Sequence, residues 1–302
     1  MIDLHTHSTH SDGFLTPTEL IKKATKIGIE AIALTDHDAV SGLTELHTAA
    51  KRKKIEIVNG SELSVYYPDT DMEILAMDIP EDSLYAFALY QQEEVVRREQ
   101  LARRRIDLLQ KAGYNITYED VAFDAKGNPR TQIRRPHFTD VLLKKGYIKT
   151  IDEAYKNIFA KGGVCYVKNN PWFVSETIKF IRDNGAKAIL AHPIHTKRSG
   201  QAMYDLITEL KSYGLSGIEV FHSSHPLKER LEYLEIIKEL KLITAGGSDF
   251  HGGTAHPENE LGYGRHHNLD IPYMVLEQIR KNKTPTLAYY KTLEKTIRTL
   301  ST

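Results

Sequence analysis

The sequence of 302 residues has a single cysteine, no long apolar run and no net charge. The lone Cys165 excludes an intramolecular disulfide framework and fits a reducing compartment. No apolar run approaches the ~18 residues that a membrane helix needs. Because 40 basic residues balance 40 acidic ones, no overall field attracts nucleic acid or an acidic membrane surface. We therefore expect a cytoplasmic protein without a signal peptide or a membrane partner.

Histidine is plentiful, and it lies beside acidic residues from the start of the chain. The segment DLHTHSTHSDG begins at Asp3. His5 and His7 are two positions apart on a predicted strand, so their side chains share one face. Asp12 follows just past the end of that strand. Two imidazoles and a carboxylate in this arrangement indicate a metal site rather than a buried core.

Short apolar runs, mostly separated by stretches of helical period, predict a sheet of seven strands. The predicted strands are Ile2–Leu4, Ala31–Leu34, Ile55–Val58, Ile74–Met77, Ala188–Ala191, Ile218–Phe221 and Leu242–Ala245. Six of these strands lead directly into polar segments: HTHSTHSD, TDHD, NGSE, HPIH, HSSH and GGSDFH. Alternating strands and helices favour a parallel α/β barrel, in which reactive groups gather at the carboxyl ends of the strands. The polar segments should therefore converge on one mouth.

The first helix has clear boundary signals. Thr16 and Glu19 form a capping box around a first-turn proline, Pro17, and Gly28 is a stop signal. The sequence therefore predicts a helix between the first two strands.

Residues 81–166 break the alternation, with a long charged helix through QQEEVVRREQLARRRIDLLQKAG. We predict a small helical subdomain over 81–166, covering the active site and inserted into a barrel formed by 1–80 and 167–302. Glutamates interleave its arginine run, which we interpret as a solvated helix face, with nucleic-acid binding as the alternative. That run comprises Arg97, Arg98, Arg103, Arg104 and Arg105.

The segment IRRPHF within this subdomain is a candidate anion clamp. Pro136 stiffens the turn, and the guanidinium of Arg135 is a natural fork for phosphate oxygens. The alternative is that Arg135 and His137 only cap local structure.

Five segments together resemble the polymerase and histidinol phosphatase (PHP) superfamily of metal-dependent phosphoesterases. They are DLHTHSTHSDG, ALTDHDAVSG, NGSELS, AHP and GGSDFHG, and they span nearly the whole chain. The RPHF and EVFHSSH segments are similar to the branch that includes nucleotide phosphatases and small exonucleases. The resemblance implies a distorted seven-stranded (β/α) barrel, TIM-like, with two or three divalent metal ions (Mn, Fe or Zn).

The resemblance also implies the metal ligands, position by position. The first metal would take His5, His7, Glu62 and Asp249, and the second Asp12, His37 and His251. The third would share Glu62 and add His192. The family usually supplies a further histidine where this chain has Glu73. Because glutamate is itself a hard oxygen ligand, we expect Glu73 to keep the third site with a changed metal preference.

The chemistry that follows is hydrolysis of a small phosphate ester, from a nucleotide or a sugar phosphate. A hydroxide that bridges two metals, its pKa lowered from ~15.7 towards ~7, would be the nucleophile. Arg135, His137 and His225 are candidates to bind the phosphate, and His225 also to assist the leaving oxygen. Either Asp36 or Asp38 is expected to orient a ligating imidazole.

The leading hypothesis is a nucleoside 3′,5′-bisphosphate 3′-phosphatase. The alternatives are a phosphodiesterase that opens a 5-phosphoribosyl 1,2-cyclic phosphate, a short-RNA exonuclease and, from another class, a non-catalytic metal-binding scaffold. We expect nucleic acid to bind only in the form of a short oligonucleotide substrate.

The remaining histidines divide into two sets. Those without motif support are expected on the surface or in loops: His47, His195, His256, His266 and His267. Those near the motifs stay undecided: His10, His137 and His222.

Overall fold

The computed structural model of the protein describes residues 1–68, 70–124, 127–168, 171–253, 258–281 and 283–300. Seven strands form one sheet in chain order. They are β1 (Ile2–Asp3), β2 (Ala31–Leu34), β3 (Glu56–Tyr67), β4 (Thr70–Met77), β5 (Lys187–Leu190), β6 (Gly217–His222) and β7 (Ile243–Gly247). A separate two-stranded sheet pairs β8 (Asn259–Glu260) with β9 (Gly264–Arg265). The predicted number and order of strands in the main sheet are confirmed.

The two edges of the seven-stranded sheet approach each other and nearly close a barrel. The Leu4 N–H donates to Gly246 O at 3.2 Å, and the His7 N–H donates to Phe250 O at 2.9 Å. These bonds continue β1 and β7 beyond their regular parts. The mixed α/β fold predicted from the sequence, a TIM-like barrel, is therefore confirmed.

One strand runs against the others, contrary to the expected parallel sheet. β4 is antiparallel to both β3 and β5, whereas the remaining pairs are parallel. The cause is the connection from Tyr67 to Thr70, which is too short to hold the crossover that a parallel pair needs. Ser64 is the register partner of Glu73, so the hairpin brings Glu73 to the mouth from the beginning of its strand.

Helices surround the sheet. They are α1 (Pro17–Lys26), α2 (Leu43–Ala50), α3 (Leu84–Lys111), α4 (Tyr118–Ala122), α5 (Arg135–Lys144), α6 (Ile151–Glu153), α7 (Val174–Asp183), α8 (Gln201–Tyr213), α9 (Leu227–Leu240), α10 (Met274–Lys281) and α11 (Leu287–Thr299). Short turns of 3₁₀-helix cover Glu81–Ser83 and Pro193–Thr196, and a π-helical turn covers Ala154–Ile158. No helix among the described residues is long and apolar enough to cross a membrane.

The buried apolar residues form two clusters. The larger one fills the barrel and lies under its helices, and it includes Phe87 and Tyr90 from the first half of α3. The smaller one, between residues 102 and 165, includes Ile106 from the second half of α3, Phe138 and Cys165. A separate core in this part of the chain supports the predicted helical insertion, whose boundaries at 81 and 166 stay predictions.

Candidate metal centre

Among the described residues, side chains from both ends of the chain meet at the barrel mouth in four groups of potential metal ligands. One of them, formed by His5, Glu219 and His222, was not predicted, and the other three correspond to the predicted sites. The first group contains His5, His7, Glu62 and Asp249, whose ligand atoms all lie within 4.8 Å of one another. The Nε2 atoms of His5 and His7 lie 3.2 and 3.3 Å from Glu62 Oε2. The same nitrogens lie 3.5 and 3.2 Å from Asp249 Oδ1. Around a tetrahedral ion with bonds of about 2.1 Å, any two ligand atoms lie about 3.4 Å apart. The distances in this group are close to that value, so the group fits such an ion.

The second group lies beside the first. It contains His7, Asp12, His37 and His251. The Nε2 atoms of His251 and His37 lie 3.3 and 3.7 Å from Asp12 Oδ1. These are the residues expected for a second metal, with His7 shared between the two groups.

The third group contains Glu73. Its Oε1 lies 3.3 Å from His37 Nδ1, and its Oε2 lies 3.5 Å from His192 Nε2. His192 Nε2 is also 2.9 Å from Glu62 Oε1. The structure thus brings Glu73 to the place where the resemblance implies a third metal.

Buried polar atoms without hydrogen bonds provide a test of whether this donor set suits metals. Among the described residues, His5 Nε2, His7 Nε2, Asp12 Oδ1 and Glu62 Oε2 are buried and make no hydrogen bond. Leaving such atoms unpaired is costly, and a coordinated cation would satisfy all four. Imidazole and carboxylate donors suit Zn, Fe or Mn. The residues therefore fit two or more divalent ions.

The two glutamates of the centre differ in pKa. Burial alone would raise the pKa of Glu62, but the imidazoles of His37 and His5 hold it well below its usual range. Burial, together with the negative charge of Glu62, raises the pKa of Glu73 to about 7. Without a cation, Glu73 is therefore the carboxylate that most readily takes up a proton.

The backbone at the mouth is strained where ligands must point inward. His192 has a φ of 25° and Asp249 a φ of 54°, positive values that residues other than glycine rarely adopt. Each such residue costs about 1–3 kcal/mol, and this strain is typical of functional sites. Gly247 allows the end of β7 to pass close to His5, because a Cβ at position 247 would lie only 2.2 Å from the Cβ of His5.

A buried carboxylate that the sequence interpretation missed, Glu219 on β6, positions two of the predicted ligands. Its Oε1 accepts from His5 Nδ1 at 3.0 Å, and its Oε2 accepts from the His192 N–H at 2.8 Å. The first bond leaves His5 Nε2 free to face the ligand group. The only sequence signal was one acid inside the apolar run of β6.

The aspartates beside His37 were expected to orient an imidazole, and this expectation is wrong. Asp36 accepts from the Ser8 N–H and from the hydroxyls of Ser8 and Ser11, and so it holds the loop before Asp12. Asp38 instead accepts from the Ser64 N–H at 2.8 Å. Both aspartates fix backbone segments rather than ligand rings.

Two arginines of the helical segment reach the centre through Asp38. Arg98 Nη2 donates to Asp38 Oδ2 at 2.6 Å, and Arg134 Nη1 donates to the same oxygen at 3.0 Å. Arg134 Nε also lies 3.6 Å from Asp12 Oδ2, and its Nη2 lies 3.8 Å from Glu73 Oε1. Positive charge is thereby placed directly against two of the predicted metal ligands.

The arginine run was interpreted as a solvated face, which is wrong for two of its members. Arg98 and Arg105 are buried, whereas Arg103 is exposed and pairs with Glu99. Arg105 Nε makes no hydrogen bond among the described residues. Burial, followed by the nearby charge of Arg135, lowers the pKa of Arg105 to about 10.

Arg135 is half-buried in the first turn of α5. Its guanidinium carbon lies 5.4 Å from the centre of the Tyr155 ring. The neighbouring arginine, Arg134, contacts three acidic side chains of the barrel: Asp12, Asp38 and Glu73. The candidate anion clamp therefore lies one residue after an arginine that is paired with the barrel.

The other candidates for substrate binding lie deeper than expected. His137 is buried, and its Nδ1 accepts from the Arg134 N–H at 3.1 Å, as the capping alternative predicts. His225 is 1% exposed, and its Nδ1 donates to Val220 O at 3.1 Å. Burial argues against direct contact of either ring with substrate. His222 Nε2, in contrast, lies 3.6 Å from Asp249 Oδ2.

The remaining histidines lie mostly where they were expected. His195 is exposed, and its ring centre lies 4.8 Å from that of His192, at the mouth. His266 and His267 are exposed, whereas His47 is half-buried on α2 and bonded to Asn59. His10 bonds to Ser41 at 2.9 Å. His256 lies outside the described residues.

Three enzymes whose names describe the cleavage of phosphate esters have sequences similar to this chain. A 5′-3′ exoribonuclease from Haemophilus influenzae is 32% identical over 82% of this chain and 89% of the relative. A phosphoribosyl 1,2-cyclic phosphate 1,2-diphosphodiesterase from Eggerthella lenta is 31% identical over 83% of this chain and 94% of the relative. A 3′,5′-nucleoside bisphosphate phosphatase from Chromobacterium violaceum is 32% identical over 90% and 92%.

The fold has a similar counterpart among solved structures. An amidohydrolase from Chromobacterium violaceum, with bound sulfate and no metal, superposes with a TM-score of 0.81 and 28% identity, covering 95% of this chain and 99% of that one. The PHP domain family matches residues 3–166, more than half of the chain. These similarities confirm the predicted enzyme class, a metal-dependent phosphoesterase. The chain belongs to the PHP domain family.

Proposed function

We propose that this protein removes the 3′-phosphate of nucleoside 3′,5′-bisphosphates, using two or three divalent metals at the barrel mouth. The observation that carries the proposal is that candidate metal ligands on the barrel lie next to an arginine of the helical segment. The barrel offers imidazoles and carboxylates for cations, and Arg134 of the helical segment lies 3.6 Å from Asp12 and 3.8 Å from Glu73, with Arg135 next to it in the chain. A substrate with two phosphates has one group for the metals and one for the arginines.

The metals would be held by the three predicted ligand groups of the barrel mouth. Bound there, they would neutralise phosphoryl oxygens and lower the pKa of water towards ~7. The ligands are His5, His7, Glu62 and Asp249, then Asp12, His37 and His251, and finally His192 and Glu73 with Glu62 shared.

The side chains of the helical segment bind and orient the substrate in this proposal. Arg135, which is half-buried, offers a planar fork to the phosphate that is not cleaved, since a guanidinium group recognises phosphate in a bidentate manner. His195, exposed at the mouth, offers a ring N–H to the leaving oxygen, and it replaces the buried His225 in this role.

A substrate panel with metal analysis tests the proposal. Protein purified without chelators should contain two or more metal ions per chain by elemental analysis. Manganese-loaded protein should release phosphate from adenosine 3′,5′-bisphosphate faster than from adenosine 3′-monophosphate. A metal content of one or none, or no hydrolysis of either nucleotide, would sink the proposal.

The same panel separates the two alternatives. Preferred opening of 5-phosphoribosyl 1,2-cyclic phosphate would assign a cyclic phosphodiesterase, the activity named for the Eggerthella lenta relative. Preferred release of mononucleotides from a short 5′-phosphorylated RNA would assign an exonuclease, as named for the Haemophilus influenzae relative.

A further inference from the structure

An exposed tyrosine near the far end of β3 packs against a half-buried phenylalanine that precedes α7. Tyr66 is 39% exposed, an unusual exposure for an aromatic residue in a strand whose neighbours are mostly buried. Its ring centre lies 5.8 Å from that of Phe173, and the Lys168 Nζ stands 6.0 Å from the Tyr66 ring. We call these three residues the aromatic platform.

The backbone holds the platform in place. The Tyr66 N–H donates to Trp172 O at 2.8 Å, and a parallel bridge links Tyr66 with Phe173. The Trp172 ring packs edge-on against the ring of Tyr90 on α3, with 5.1 Å between the ring centres. Tyr66 is therefore presented to solvent by a fixed strand rather than by a loose loop.

The platform shares a strand face with the metal centre. Side chains alternate along a strand, so Glu62, Ser64 and Tyr66 project from the same side of β3. Glu62 belongs to the ligand groups, and the hydroxyl of Ser64 contacts Arg98 Nη2 at 2.9 Å. Tyr66 comes next, about 13 Å along the strand from Glu62. This separation is comparable to the length of a nucleoside bisphosphate.

We infer that the aromatic platform binds the nucleobase of the substrate, by stacking on Tyr66. Every base has an aromatic face, and base stacking on a tyrosine ring needs no particular hydrogen bond. Lys168 adds a positive charge beside an anionic nucleotide. The inference rests on the proposed nucleotide substrate and makes it more specific, because a cyclic phosphoribose has no base to place there.

Binding of two ligands that differ only in the base tests the platform without requiring hydrolysis. Titration calorimetry on the metal-loaded protein would compare adenosine 5′-monophosphate with ribose 5-phosphate. Wild type should bind the nucleotide about 5- to 100-fold more tightly, the range that a single stacked base contributes. Tyr66→Ala should remove most of this preference, whereas Tyr66→Phe should retain it because the ring remains.

A control variant and the kinetics complete the test. Tyr85→Ala removes a tyrosine that is 73% exposed in the first turn of α3, about 20 Å along that helix from Arg98, and should change neither affinity. An equal affinity of wild type for both ligands, or an equal loss for both in Tyr66→Ala, would overturn the platform. Phosphate release from adenosine 3′,5′-bisphosphate, measured in parallel, shows independently whether the proposed function holds.

Discussion

The barrel mouth and the helical segment are built on separate cores, and they meet through side chains of opposite charge, the carboxylates of the barrel and the arginines of the segment. The ligand groups belong to the barrel, whereas Arg105, Arg134 and Arg135 belong to or border the smaller core of residues 102–165. Asp38 joins the two regions through Arg98 and Arg134. In the proposed function, cation binding and anion binding would be provided by different parts of the chain, and so each can be disturbed separately.

The largest expected effect lies on the barrel side. His37→Ala should lower kcat/KM by at least about a thousandfold, because His37 faces Asp12 with one nitrogen and Glu62 with the other. Circular dichroism should show an intact fold, since the ring belongs to the mouth rather than the apolar core. The exposed His267 provides a matched control, and its alanine variant should be fully active. An unfolded His37→Ala would instead make this histidine structural.

A smaller loss is expected on the helical side. Arg135→Ala should weaken kcat/KM for adenosine 3′,5′-bisphosphate by about ten- to a hundredfold, the effect of losing a charge-assisted contact. The loss for adenosine 3′-monophosphate should be much smaller. Arg135→Lys should recover part of the activity, because an ammonium lacks the planar fork.

Two outcomes would contradict this division of labour. Equal losses for both nucleotides would place Arg135 at the reacting phosphate, and no loss would leave it purely structural. Arg103→Ala is the matched control, because Arg103 is exposed and pairs with Glu99.

Metal affinity should respond to a residue that touches no metal. Glu219→Gln replaces a carboxylate that accepts from both His5 and His192, and an amide can accept only on its oxygen. We expect metal affinity to fall about 10- to 100-fold in equilibrium dialysis, the usual effect of losing such a partner. Glu235→Gln, an exposed change on α9, should leave the affinity unaltered. Unchanged affinity in Glu219→Gln would show that the bonds do not position the ligands.

Glu73 should affect metal content more than fold. Glu73→Ala should lose one metal ion per chain, and Glu73→His should restore it with a preference for zinc, since imidazole is the softer ligand. Elemental analysis after loading with equal manganese and zinc distinguishes the variants. Full activity and unchanged metal content in Glu73→Ala would mean that the residue only begins a strand.

The smallest effect concerns the metal-free barrel and pH. Despite burial, neighbouring carboxylates raise the pKa of His192 to about 9 and that of His251 to about 10. Both pKa values exceed the ordinary histidine value of about 6.5 in an unfolded chain. The positive charges of His192 and His251 therefore stabilise the fold fully below about pH 6.5, and this contribution is lost as the pH rises through 9–10. The Tm of the metal-free protein, measured in the presence of a chelator, should therefore drop by a few degrees between pH 6.5 and 10. A Tm that rises over this range would contradict the assignment, and excess metal should flatten the profile.

Local signals in the sequence predicted a large part of this structure. The helix expected between Thr16 and Gly28 is α1, and both hydrogen bonds of its capping box form. The convergence of the predicted ligand residues could be foreseen because each follows a strand or begins one, and strand ends meet at one mouth in a barrel. The direction of β4 was missed, although the absence of a helix between Tyr67 and Thr70 was a usable signal.

Tertiary partners were harder to predict than motifs. Nothing near Glu219 in the sequence points to His5, which is 214 positions away. Arg134 and Arg135 are adjacent and chemically alike, and nothing in the sequence showed that Arg134 pairs with Asp38. Burial of Arg98 likewise depends on Asp38, a partner from another part of the fold.

The reversed strand β4 has an evolutionary consequence for ion choice. It delivers Glu73 on a hairpin whose register is fixed by backbone bonds from Gly60 to Tyr67, independently of the loops that carry most of the other ligands. If Glu73 binds a metal as proposed, exchanging it for histidine would replace an oxygen ligand with a nitrogen ligand while the scaffold stays as it is. Lineages that meet different supplies of manganese, iron or zinc could adapt at this one position.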